Sequence, residues 1–195
     1  MQDFLFYLKL GWLHIIAWNA LDHQLFILAL VAVYAVKDLK KILVLVTAFT
    51  IGHSLTLALS VLDIVRFPSN WVEFLIPITI ALTAIGNILM YENTQKLMKL
   101  NYFLALIFGL IHGMGFANSA RMMIAREQNI AAPLFGFNIG LELGQIAVVI
   151  LILGLEFLLS KYLKLNKKYW HIAASTIALI ISISMAIERV PFASS

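Results

Sequence analysis

The stretch ILVLVTAFTIGHSLTLALSVL, residues 42–62, decides the fold. Its 21 residues include no Asp, Glu, Lys or Arg, and about 20 apolar residues in a helix cross a hydrocarbon core of roughly 30 Å. One titratable side chain, His53, stands in its middle. Ionisable groups cost roughly 3 kcal/mol at bilayer depth on insertion scales, and those that persist there face a bundle interior. The run therefore predicts a membrane helix that turns His53 toward other helices.

Four more runs qualify in the same way: 74–91, 100–120, 169–187, and 129–155, which only Glu142 interrupts. The N-terminal third is less regular. Residues 24–36 are too few to span, and extending them back to Trp18 pulls Asp22 and His23 into the membrane near one end. Residues 4–17 remain as a short apolar segment carrying Lys9, which predicts an interfacial or re-entrant helix. The expected fold is all-α: a polytopic transmembrane bundle of six spans plus that short helix, seven helical segments in a single integral membrane domain over residues 1–195.

Composition agrees. The chain is 62% hydrophobic and 12% charged, with a mean hydropathy of +0.94, against about 45–50% and about 25% in soluble domains. The N-terminus MQDFLFYLKLGW lacks a basic region and a small-residue cleavage site, so no cleaved signal peptide is expected. Absence of cysteine excludes disulfides and thiolate ligands. The net charge of +4 comes from basic residues between spans, as the positive-inside rule predicts, and speaks for lipid contact rather than nucleic acid.

Loop charges orient the bundle. Lys37, Lys40 and Lys41, then Lys96 and Lys99, then Lys161, Lys164, Lys167 and Lys168 alternate with poorer loops. The poorer ones hold Asp63 and Arg66, then Arg121, Arg126 and Glu127, and finally Glu188 and Arg189. The lysine loops are thus expected in the cytoplasm and both termini outside it. A seventh span made of residues 4–18 would turn the N-terminus inward and ranks second.

At about 1.5 Å per residue, His14, Asp22, His23, His53, His112 and Glu142 all fall in the outer half or near the middle, from five segments. Imidazole and carboxylate without thiolate suit nickel, zinc, cobalt, iron or Cu(II). The methionines are dispersed, which argues against a Cu(I) thioether path. Each residue also has a plainer reading. A lone His53 is as often interhelical glue as a ligand. Asp22 suits a helix N-terminus, or orients a histidine as a supporting carboxylate.

Asn138, Glu142 and Gln145 form an i, i+4, i+7 polar stripe, Glu73 sits at the outer boundary, and Ser54 adjoins His53. Asn138, Gln145, Glu73 and Ser54 are supporting candidates at most. His171, beside Lys167, Lys168 and Trp170, reads as an interfacial anchor. Gly136, Gly140 and Gly144, and Gly109 and Gly113, recur every four residues and predict close helix contacts that could join His112 to Glu142. A faint echo relates Phe49-x3-His53 to Phe108-x3-His112, each followed by a span with a glutamate, Glu73 or Glu142; duplicated hairpins recur in transporters.

At GWLHI (11–15), LDHQLFILAL (21–30), TAFTIGHSLTLALS (47–60), WVEFLIPITI (71–80), FGLIHGMGFA (108–117) and FNIGLELGQ (137–145) the sequence resembles the HupE/UreJ family. These membrane proteins are named as hydrogenase and urease accessory proteins and regarded as nickel permeases. The resemblance implies that His14, Asp22, His23, His53, His112 and Glu142 are the metal-site positions, and places the protein in a bacterial inner membrane. One departure is that Trp18 and Asn19 stand between His14 and Asp22, where many relatives have a Gly and a shorter gap. Transport of divalent metal is the first expectation. An intramembrane zinc hydrolase, with Glu142 or Asp22 as base, and a metal sensor or storage protein are the alternatives. A homo-oligomer is compatible with all three.

Overall fold

The uncharged runs fold as expected, while the N-terminal third does not form one continuous span. A computed structural model describes residues 2–91, 93–124 and 130–191; Arg126, Glu127 and Asn129, counted above, lie outside the described residues. Among the described residues are helices α1 (Gln2–Ile16), α2 (Leu21–Val31), α3 (Leu39–Val61), α4 (Ser69–Leu89), α5 (Thr94–Ile124), α6 (Ala131–Tyr162) and α7 (Lys167–Glu188), with a short 3-10 turn at Val36–Asp38 and no strand. Helices α3 to α7 are each long and apolar enough to cross a membrane, and α1 with α2 forms a sixth candidate bent by 69°. Their outward faces carry large apolar side chains such as Val44, Ile51, Leu82, Ile150, Leu151 and Ile180. So large an exposed apolar surface is at home in lipid and would aggregate in water.

Two parallel helix pairs, both packed through glycine, fix the frame. On α5, a Cβ at Gly109 would collide with the Phe49 carbonyl and one at Gly113 with the His53 carbonyl. The offset between the partners is constant at 60 residues, so α3 and α5 run parallel and in register. On α6, Gly136, Gly140 and Gly144 meet Phe4, Leu8 and the Trp12–Ile15 turn of α1 in the same way. Small side chains let backbones touch where lipid provides no hydrophobic drive. The two glycine rows thus face α3 and α1 rather than each other, so they do not bring His112 to Glu142 as expected.

This packing also corrects the reading of residues 4–36. Phe4 to Ile15 ascend α6 from Gly136 to Gly144, and Ala29 of α2 accepts a hydrogen bond from Asn87 near the lysine-rich end of α4 (2.6 Å). Both helices therefore run toward the lysine-rich end as one broken segment, with the N-terminus at the lysine-poor end. The 69° bend between α1 and α2 stands where a continuous span over 18–36 was expected. Gln24 closes the break: its Nε2 donates to the carbonyls of Ile15 (3.2 Å) and Ala17 (3.0 Å), at a helix end where carbonyls run short of backbone donors. Irregular backbone at membrane depth persists where it borders a cavity, and residues 17, 19 and 20 line one.

Candidate metal centre

Asp22 and His23 occupy the first turn of α2, directly after the break. The Asp22 carboxylate accepts from the His23 backbone N–H at 2.8 Å and lies 3.0 Å from His23 Nδ1. That contact favours the proton on Nδ1 and leaves Nε2 as the free lone pair, the usual service of a carboxylate to a ligating histidine. His53 on α3 and His112 on α5 come to one depth because those helices are in register. His14 arrives on the last turn of α1.

The result is a close cluster from four helices. The ligating atoms of His14, His23 and His53 lie within 4.8 Å of one another, as do those of Asp22, His23 and His112, with His23 in both groups. Ring centroids of His14 and His23 are 4.7 Å apart and those of His23 and His112 4.2 Å. His112 Nε2 stands 4.0 Å from the second Asp22 oxygen. His23, His53 and His112 are buried. Nε2 of His14 and of His23, and both ring nitrogens of His53 and His112, have no hydrogen-bond partner. A buried polar atom without a partner costs about 1–3 kcal/mol, and each of the four rings has such a nitrogen to offer to a metal ion. The donor set of neutral imidazoles and one carboxylate suits a borderline divalent ion such as nickel, cobalt or zinc.

An aromatic floor closes the cluster on the lysine-rich side. Phe49 and Phe108 each sit one turn before a cluster histidine and Phe26 about one turn after His23, and all three are fully buried. Phe26 and Phe108 stack at 3.6 Å and 7°, and Phe108 lies 4.1 Å from the His112 ring. The F-x3-H echo is thus two equivalent steps of one floor. On the other side a cavity of about 350 Å³ opens, lined by His14, Asp22, His23, Glu73, His112 and Arg189 among others.

The remaining expected positions fall outside the cluster. Glu142 is two residues from Gly140 and from Gly144, about 200° around α6, and so points away from α1; its Oε1 accepts from Thr47 at 2.7 Å. Gln145 is buried and accepts from Thr50 at 3.1 Å, while Ser54 donates to the Thr50 carbonyl of its own helix (2.6 Å). Asn138 adjoins His53, yet its Nδ2 donates to the Leu134 carbonyl (2.8 Å). Glu73 is exposed at the cavity mouth. His171 is no interfacial anchor: it is buried, with Nε2 2.9 Å from the Asn87 carbonyl and its ring against Tyr91. Two participants carry no distinguishing sequence signal, Gln24 at the break and Arg189, whose Nη1 stands 3.8 Å from Asp22.

Fold and site together define an integral membrane helical bundle with a buried histidine–aspartate cluster open to one end. The family model described as HupE / UreJ protein matches residues 1–189, so the chain belongs to the HupE/UreJ family. No curated protein and no solved structure matches it.

Proposed function

We propose that this protein moves a divalent transition metal, nickel first, across the bacterial inner membrane, with His14, Asp22, His23, His53 and His112 as the binding station. The convergence of these five groups at a break in a helix carries the proposal. Discontinuous helices place substrate sites of transporters near the bilayer midplane, and the family resemblance supplies the nickel. By the positive-inside rule the lysine-rich end faces the cytoplasm, so the station opens outward.

A route past the station is needed, and the apolar inner halves of α2 and α6 offer none. The α4/α7 contact carries buried polar groups in that direction. Thr79, Thr83 and Asn87 recur every four residues on α4, and His171, Ser175 and Ser182 come from α7; all are buried. Asn87 reaches Ser175 at 3.4 Å and Ala29 of α2 at 2.6 Å, while its Oδ1 has no partner. This polar line runs along α4 toward the lysine-rich end. It favours transport over an intramembrane hydrolase, for which a single-sided site suffices. Proteoliposomes containing a nickel-sensitive dye test the proposal. Flux in wild type that His23→Ala abolishes is expected; tight binding without flux in either direction would move the assignment to a metalloenzyme or sensor.

A further inference from the structure

A bare divalent cation would meet a fixed positive charge in this cavity. Arg189, the residue after α7, lines it together with the cluster, and a guanidinium stays charged at every physiological pH. Its partner among the described residues is Asp22 at 3.8 Å, an ion pair too long for a hydrogen bond. Asp22 is already engaged with His23 through its other oxygen. The planar donor fork of Arg189, suited to bidentate recognition of a carboxylate, is therefore unspent.

Charge and space point the same way. Asp22 and Glu73 bring two negative charges to the cavity and Arg189 one positive. A divalent ion on neutral imidazoles would leave a net positive charge, which the carboxylate of an accompanying ligand would balance. The cavity volume of about 350 Å³ lies in the small-molecule range of about 300–1,000 Å³. Six water shares of about 30 Å³ would fill only about half of it.

We infer that the cavity takes the metal as a complex with a small carboxylate chelator, such as a hydroxy acid or amino acid. The histidine cluster holds the metal, and Arg189 holds a carboxylate of the chelator at the mouth. The inference rests on the metal-binding reading of the cluster and adds its anionic half. No covalent step is involved; the chelator enters as an accompanying ligand.

Co-retention separates the two parts. Purified protein is incubated with nickel(II) citrate and, separately, nickel(II) histidine, each labelled in the organic ligand, and passed through a desalting column. Wild type is expected to retain nickel with at least one of these ligands in a ratio near one to one. Arg189→Gln should retain nickel but lose the label at least tenfold, and Arg189→Lys should recover only part of it. Nickel retention by the variants also reports that they are folded. Nickel retained without either label in wild type overturns this inference and leaves the cluster standing. Label retained equally by Arg189→Gln overturns the role of Arg189. Failure to retain nickel in any form overturns the cluster as well.

Discussion

Two carboxylates lie within the bundle, Asp22 and Glu142, and the fold uses them in opposite ways. Asp22 follows a helix break, where a first-turn position and a cavity give it two imidazoles and a guanidinium within 4.0 Å. Glu142 sits within an unbroken helix, on the face turned from the α1 contact, and meets a threonine hydroxyl. An acid in a membrane helix needs a cation, a proton or a donor. Which of these it finds depends on helix rotation and backbone breaks, so equal residue chemistry yields a ligand-shell group in one place and an interhelical tie in the other.

The sharpest way to break this comparison is to neutralise both. His23→Ala, which removes the residue common to both ligand groups, should abolish stoichiometric nickel binding measured by elemental analysis. Asp22→Asn should weaken it by roughly 10–100-fold, as for loss of an orienting carboxylate. Glu142→Gln should leave it unchanged, because Thr47 can bond the amide. If Glu142→Gln alone strips the metal, the contrast between the two acids collapses.

The helix registers that place the histidines are tested next. Gly113→Val drives a side chain into the His53 carbonyl and Thr56; overpacking of this kind destabilises by about 1–3 kcal/mol. Thermal unfolding in detergent should show that loss together with weakened nickel binding. Gly154, with nothing within 4 Å of an added Cβ, is the control, and Gly154→Ala should bind nickel as wild type does. A smaller effect is expected at the break: Gln24→Leu forfeits two hydrogen bonds, to the Ile15 and Ala17 carbonyls, at about 0.5–1.5 kcal/mol each. Faster amide exchange at residues 17–20 would report it, and unchanged exchange would separate the break from Gln24.

The smallest effect lies at the lysine-poor surface. Arg66, hydrogen-bonded to Asp63, holds that carboxyl below its ordinary value. Because the folded value is depressed, the contribution is full above an ordinary Asp pKa of about 3.9 and is lost as pH falls through the lower folded value. Asp63→Asn should therefore melt slightly below wild type at pH 6, and the difference should shrink as pH falls below about 3.9. Asn suits the left-handed backbone at this position (φ 62°), so the comparison isolates charge.

Much of the cluster is legible in the sequence. Uncharged length found α3 to α7, because a hydrocarbon core sets span length directly. Titratable residues inside those runs found His53 and His112, because membrane depth leaves such groups few reasons to exist. The same rule finds His14, Asp22 and His23, although a helix break divides their segment. Glu142 illustrates its limit, since cost at depth shows that a partner is required and not which partner. His171 was placed by its lysine neighbours, yet its burial depends on α4, far off in sequence.

By itself, the sequence determined that this is a membrane bundle, which end bears the lysines and which titratable residues lie at membrane depth, since composition and spacing act along one chain. Tertiary structure alone decided that α1 and α2 form one broken segment, that the glycine rows pair α3 with α5 and α1 with α6, and that Arg189 joins the cavity while Glu142 stays out. These depend on rotation and register between helices tens of residues apart. In lipid they are set by backbone contact at small residues, a property of facing surfaces that no local pattern encodes.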